Sequence, residues 1–138
     1  MLRAGDCILL SGALGMGKTC FARGLIRAAL DTEQDIPSPS FALAQYYDSN
    51  PPIWHFDFYR LKDPEEIWEL GFEDALDNIC LIEWPEKAAN HMPVQALEIK
   101  FGAAPEQSPP PPEILEAAPR MAQFIPHADW PMRLADFL

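Results

Sequence analysis

Eight consecutive residues, Gly12-Ala13-Leu14-Gly15-Met16-Gly17-Lys18-Thr19, complete the pattern G-x-x-x-x-G-K-[ST] and constrain the fold around them more than any other stretch. The apolar run Cys7-Ile8-Leu9-Leu10-Ser11 reads as a short buried strand, and Phe21, Leu25, Ile26 and Ala29 recur at helical spacing behind it. A glycine-rich loop joining strand to helix is a phosphate cradle, because successive backbone N–H groups converge at the positive end of the helix. Lys18 is placed to reach outer phosphates, and the Thr19 hydroxyl to hold Mg²⁺. The competing explanation is a turn that merely caps a helix, which the strand and helix on either side make the weaker one.

The remaining composition narrows the partners. The chain has 138 residues with 49% apolar content, enough for one domain with a core of its own. Ten basic and 21 acidic side chains leave a formal charge of −11, so a free nucleic-acid strand meets repulsion unless cations gather locally. Along the chain they do not gather, and tRNA or other RNA is expected to be reached only indirectly. Cys7, Cys20 and Cys80 are odd in number and widely spaced, which suits reduced thiols rather than disulfides or a zinc site. The opening apolar stretch is too short for a signal peptide or a spanning helix, so a cytoplasmic location with no membrane is expected.

After the first helix, Asp31 to Ser40 is polar and carries Pro37 and Pro39, which predicts a loop. Phe41 to Tyr47 and Ile53 to Tyr59 read as strands paired antiparallel across the turn 48–52. Asp63-Pro64-Glu65-Glu66 has a capping acid, proline at the first helical position and glutamate at the third, and Gly71 supplies a stop. A short helix is expected next, from Phe72 to Asn78. Ile79 to Ile82 is continuously apolar and predicts a central strand ending at Glu83, and Val94 to Phe101 alternates as a half-exposed strand.

Beyond Gly102 the texture changes: Pro109 to Pro112 predicts a stiff linker, Glu113 to Phe124 a helix broken at Pro119, and Asp129 to Leu138 another helix. The expectation is therefore residues 1–102 as a P-loop domain and 103–138 as a peripheral, proline-rich tail. The fold class is α/β: a mixed sheet of the P-loop NTPase kind flanked by helices, with an antiparallel hairpin and that extension.

Hydrolysis at a P-loop needs an acid for the metal and a group for the attacking water. Asp57 and Glu83 both end predicted strands, where side chains reach the ligand end of an α/β sheet; Glu83 is the better match to a metal-side acid, Asp57 a second metal-side or water-side group. Ser38-Pro39-Ser40-Phe41 comes after the first helix, where a phosphate-sensing loop often lies, though a plain strand-entry turn explains it equally well. Trp84 either stacks on a ligand or fills the core. His55 alternates with Asp57 on one strand face and could share a hydrogen bond with it, as a structural or a catalytic histidine.

In this order, GALGMGKT, SPSF, HFDFYRL, DPEE and LIEWPE resemble the TsaE (YjeE) family of small bacterial ATPases in tRNA threonylcarbamoyladenosine synthesis, from about Gly5 to Phe101. The resemblance implies a P-loop α/β fold that binds ATP with Mg²⁺. It implies association with TsaD and TsaB, which perform the transfer, while hydrolysis supports turnover of the assembly. By this resemblance Gly12 to Thr19 would cradle the phosphates, Thr19 and Glu83 would coordinate Mg²⁺, and Asp57 would support metal or water. Ser40 would supply the sensing-loop hydroxyl and Trp84 would flank the nucleotide. The chain departs from the family pattern at Ala13, Met16 and Ser40, where aspartate, alanine and threonine are usual, yet Lys18 and Thr19 stand. By the resemblance, a segment ahead of the opening strand is usual and this chain is expected to lack it, as the tail after Gly102 is expected to lack the usual finishing strands. A small-molecule P-loop kinase, which should carry an arginine-rich lid, and a nucleotide-dependent interaction module are the alternatives.

Overall fold

The computed structural model describes residues 2–103 and 120–135. Six strands form one mixed sheet: β1 (Cys7–Gly12), β2 (Ala44–Tyr47), β3 (Ile53–Asp57), β4 (Ile79–Glu83), β5 (Leu97–Ala103) and β6 (Arg120–Ile125), in the order β2-β3-β4-β1-β5-β6. The four central strands run parallel, while β2 and β6 pair antiparallel on the two edges. All parallel strands thus deliver their carboxyl ends to one edge, where an α/β sheet builds its ligand site.

Alternation along each strand sorts the core into two layers. On one face Ile8, Leu10, Ile53, Ile79, Leu81 and Ile99 pack against Ala22 and Ile26 of helix α1 (Lys18–Leu30). On the other, Leu9, Phe56, Cys80 and Ile82 meet Ile67 and Phe72 from the segments that link β3 to β4. Phe56, Phe58 and Phe72 are fully buried with ring centroids 5.6 to 6.3 Å apart, so this second layer is an aromatic cluster. Cys7 and Cys80 are in-register neighbours on β1 and β4, both buried as free thiols, and contact with Cys80 together with burial raises the Cys7 pKa.

The capping signal at Asp63 is realised: Asp63 accepts from the Glu65 N–H at 3.0 Å and Glu66 accepts from the Asp63 N–H at 3.1 Å. This cap opens a 3₁₀ helix over Pro64–Leu70, ended at Gly71, and the single-turn helix α2 (Phe72–Ala75) comes next. Predicted strand limits shift at two places for local reasons. Residues 41–43 turn rather than extend, because the Leu43 N–H reaches back to the Pro39 carbonyl at 2.7 Å. β3 stops at Asp57, whose carboxylate takes the Tyr59 N–H at 3.0 Å and starts a turn.

The tail departs furthest from expectation. Arg120–Ile125 is a strand, not the end of a helix, pairing from Glu98↔Ile125 to Ala103↔Arg120. Pro119 and Pro126 leave six residues between them, too few for a stable helix, while β5 offers an unpaired edge. Helix α3 (Trp130–Leu134) then buries Trp130 against the α1 side of the sheet at 5% exposure, so residues 120–135 are joined to the sheet through the β6 strand and this anchor. The predicted linker 109–112 and helix 113–119 lie outside the described residues, as do the last three residues of the predicted terminal helix.

Candidate functional site

At the carboxyl edge of the sheet β1 gives way to the glycine loop. Gly12 has φ +133°, and a Cβ there would lie 2.3 Å from the Phe101 carbonyl oxygen, so the strand can leave β5 this closely only at glycine. Gly17 caps α1 at φ 108°, which turns the loop into the helix and starts it at Lys18 and Thr19.

Lys18 is only 5% exposed. Its ammonium donates to the carbonyls of Gly12 and of Ala13, the latter at 3.0 Å, and lies 4.0 Å from the centre of the Trp84 ring. Burial lowers its pKa, and the neighbouring acids Glu83, Glu86 and Asp57 offset part of that. Trp84 comes directly after β4 with a left-handed backbone, φ 58° and ψ 50°, its N–H held by the Leu10 carbonyl at 3.2 Å. Its indole also meets Tyr59 at 4.9 Å, so it is half-buried as one wall of the pocket, between the two roles the sequence left open.

Glu83 is 1% exposed and both its oxygens are engaged. Thr19 Oγ1 donates to Oε1 at 2.6 Å, tying the loop to β4. The Nε2 of the fully buried His55 lies 2.7 Å from Oε2. His55 therefore pairs with Glu83 and not with Asp57, although all three share the α1 face; β3 and β4 run parallel with Asp57 beside Glu83. Asp57 accepts from Ser40 Oγ at 3.5 Å, and Ser40 lies 2.8 Å from Ser38 Oγ. Its pKa is raised first by burial and also by Glu83, while the Tyr59 N–H, His55 and Ser40 work the other way.

A cavity of about 350 Å³ joins these groups: Lys18, Thr19, Ser40, Asp57, Glu83 and Trp84 all line it, as do Leu14, Gly15, Met16 and Gly17 of the loop. Gly12 and Ala13 are not among the lining residues; their carbonyls hold the Lys18 ammonium behind it. The fold also brings in Arg23, Arg60 and Arg120, so four of the chain's ten cations line one cavity although they are scattered in sequence. Helical spacing from Thr19 could have flagged Arg23; nothing in the sequence places Arg120, which arrives on β6. Cys20 lines the same cavity as an exposed thiol. Among the described residues no helix is long and apolar enough to cross a membrane.

Known proteins resemble the chain along most of its length. A Rickettsia felis protein, "tRNA threonylcarbamoyladenosine biosynthesis protein TsaE", is 40% identical over 139 positions, covering 99% of this chain and 74% of that protein. The TsaE protein of Rickettsia typhi is 51% identical over 87 residues, covering 62% of this chain, which spans 60% of its length. The crystal structure of Bacillus subtilis YdiB superposes with a TM-score of 0.70 at 23% identity, covering 99% of this chain and 78% of that one, a likeness of fold. The profile of the family described as "Threonylcarbamoyl adenosine biosynthesis protein TsaE" matches residues 1–108, and the chain belongs to this family.

Proposed function

We propose that the chain is a Mg²⁺-dependent ATP-binding and hydrolysing subunit that supports threonylcarbamoyladenosine modification of tRNA by associating with TsaD and TsaB. The observation that carries this reading is the convergence of Lys18, Thr19, Glu83 and Asp57 on one cavity at the mouth of the glycine loop. The loop's backbone N–H groups and the start of α1 would bind the phosphates, and Lys18 would transfer its donors from the Gly12 and Ala13 carbonyls to them.

The donor set fits Mg²⁺. Thr19, Glu83 and Asp57 line one cavity and offer oxygen alone. Mg²⁺ is bound that way, through few protein oxygens plus phosphate and water. Thr19 and Glu83 would hold it, with Asp57 on the metal or water side; when bound it neutralises charge developing on the phosphates. Glu83 keeps Thr19 oriented by accepting its hydroxyl hydrogen at 2.6 Å. Asp57, whose pKa is raised by burial first and by Glu83 beside it, is suited to accept a hydrogen bond from the attacking water. Ser40 would sense the terminal phosphate from the turn it shares with Phe41, and Trp84 would flank the nucleotide. In this reading tRNA is met only through the complex, in keeping with a charge of −11.

The test is ATP hydrolysis by the purified chain, alone and with TsaB and TsaD from the same source, beside Lys18→Ala. Hydrolysis should rise with the partners, and Lys18→Ala should lose at least about 100-fold in nucleotide affinity with its fold intact. Unchanged affinity in that variant overturns the P-loop assignment. Binding without turnover, even in the complex, would make the chain an interaction module; phosphorylation of an added small acceptor would make it a kinase.

A further inference from the structure

Glu83 is held from behind as well as from the front. His55 sits on the neighbouring strand, fully buried, with Nε2 at 2.7 Å from Glu83 Oε2, while Thr19 occupies Oε1 at 2.6 Å. A carboxylate only accepts, so Nε2 carries the hydrogen of that contact. Nδ1 is buried and has no hydrogen-bond partner, so the only polar engagement of the ring points at Glu83.

We propose that His55 is a positioning residue for metal binding: its Nε2–H fixes the carboxylate of Glu83 in the orientation that presents Oε1 to Thr19 and the cation. This inference rests on the nucleotide-site reading above. A buried carboxylate without its rear donor would turn to satisfy the orphaned oxygen and carry Oε1 off the line to Thr19. Strand pairing sets the geometry. In the parallel register His55 faces Leu81 and Asp57 faces Glu83, so the imidazole reaches forward along the α1 face to the next side chain on β4. Gln is the conservative replacement, because its amide nitrogen extends about as far from the backbone as Nε2 does. Phe keeps the bulk and loses the donor.

The experiment measures ADP affinity by calorimetry, with Mg²⁺ titrated and again in excess chelator, on wild type, His55→Gln and His55→Phe. The expected result is that His55→Phe needs at least about tenfold more Mg²⁺ to reach its limiting affinity. Its affinity in chelator should stay within about twofold of wild type, and His55→Gln should recover most of the Mg²⁺ response. Equal Mg²⁺ dependence in wild type and His55→Phe overturns the proposal, as does equal impairment of both variants. Should His55→Phe not fold, nitrogen NMR of the wild-type imidazole decides: a hydrogen on Nε2 with bare Nδ1 supports the proposal, and the opposite tautomer overturns it. A wild type that binds ADP but whose affinity ignores Mg²⁺ would instead bring down the Mg²⁺-site part of the proposed function, and this inference with it; a wild type that binds no ADP would bring down the nucleotide-site reading as a whole.

Discussion

The sheet buries Asp6 at its amino end and Asp57 at its carboxyl end and treats the two in opposite ways. At the amino end Asp6, 8% exposed just before β1, receives Arg133 through two nitrogens at 2.7 and 2.5 Å and the Arg3 N–H at 2.8 Å. Arg133 lies over the Trp130 ring at 4.1 Å, and hydrogen bonding to Asp6 raises its pKa. At the carboxyl end Asp57, 7% exposed, has one backbone N–H and a long contact from Ser40, with no cation bonded to it among the described residues. The nearby ammonium of Lys18 is turned onto loop carbonyls. A buried charge matched within the chain holds the fold together; one left under-matched destabilises the fold and is available to a ligand.

The largest effect that tests this contrast belongs to the amino end. Asp6→Ala should lower unfolding free energy by about 3 kcal/mol in denaturant titration, because it removes the buried acceptor of two Arg133 hydrogen bonds and of the Arg3 N–H, while Arg133 keeps Asp129 at 3.8 Å. Nucleotide affinity should not change; a loss below about 1 kcal/mol would erase the difference between the two ends. Next, Glu83→Ala should reduce Mg²⁺-dependent hydrolysis about 100-fold, or about 2.7 kcal/mol in barrier, and nucleotide binding by less than about tenfold. Equal loss of both would make Glu83 a structural group like Asp6. Smallest and opposite in sign, Asp57→Asn should stabilise the fold by about 1 kcal/mol at neutral pH while lowering turnover. Because the native pKa of Asp57 lies above its ordinary value of 3.8, the native state favours the protonated carboxyl. The advantage of the asparagine variant should therefore be full above the native pKa and fade as pH falls through it, which paired thermal melts would record.

What was legible in the sequence is what contiguous residues decide. The glycine loop, its strand and helix, the capping box at Asp63 and the strand ending at Glu83 each depend on neighbours within a turn or two. The partner of His55 depends on which strand lies beside β3 and in what register, and the same-strand alternation that suggested Asp57 carries no such information. Residues 120–125 read as helix formers because their sequence does not show the open edge of β5. Arg133 reaches Asp6 across 127 positions, and Arg120 reaches the cavity only because β6 turns back along β5.

The three thiols also divide between core and cavity. Cys7 and Cys80 are buried in register on β1 and β4, but Cys20 is exposed one residue beyond Thr19 on the wall of the glycine-loop cavity. A maleimide added to the folded protein should therefore attach at one position, and ADP should slow that attachment by standing in its way. The sequence thus carries its own labelling handle for occupancy: the rate of a one-step alkylation, read by intact mass, reports how much of the population holds nucleotide, alone or within a larger assembly.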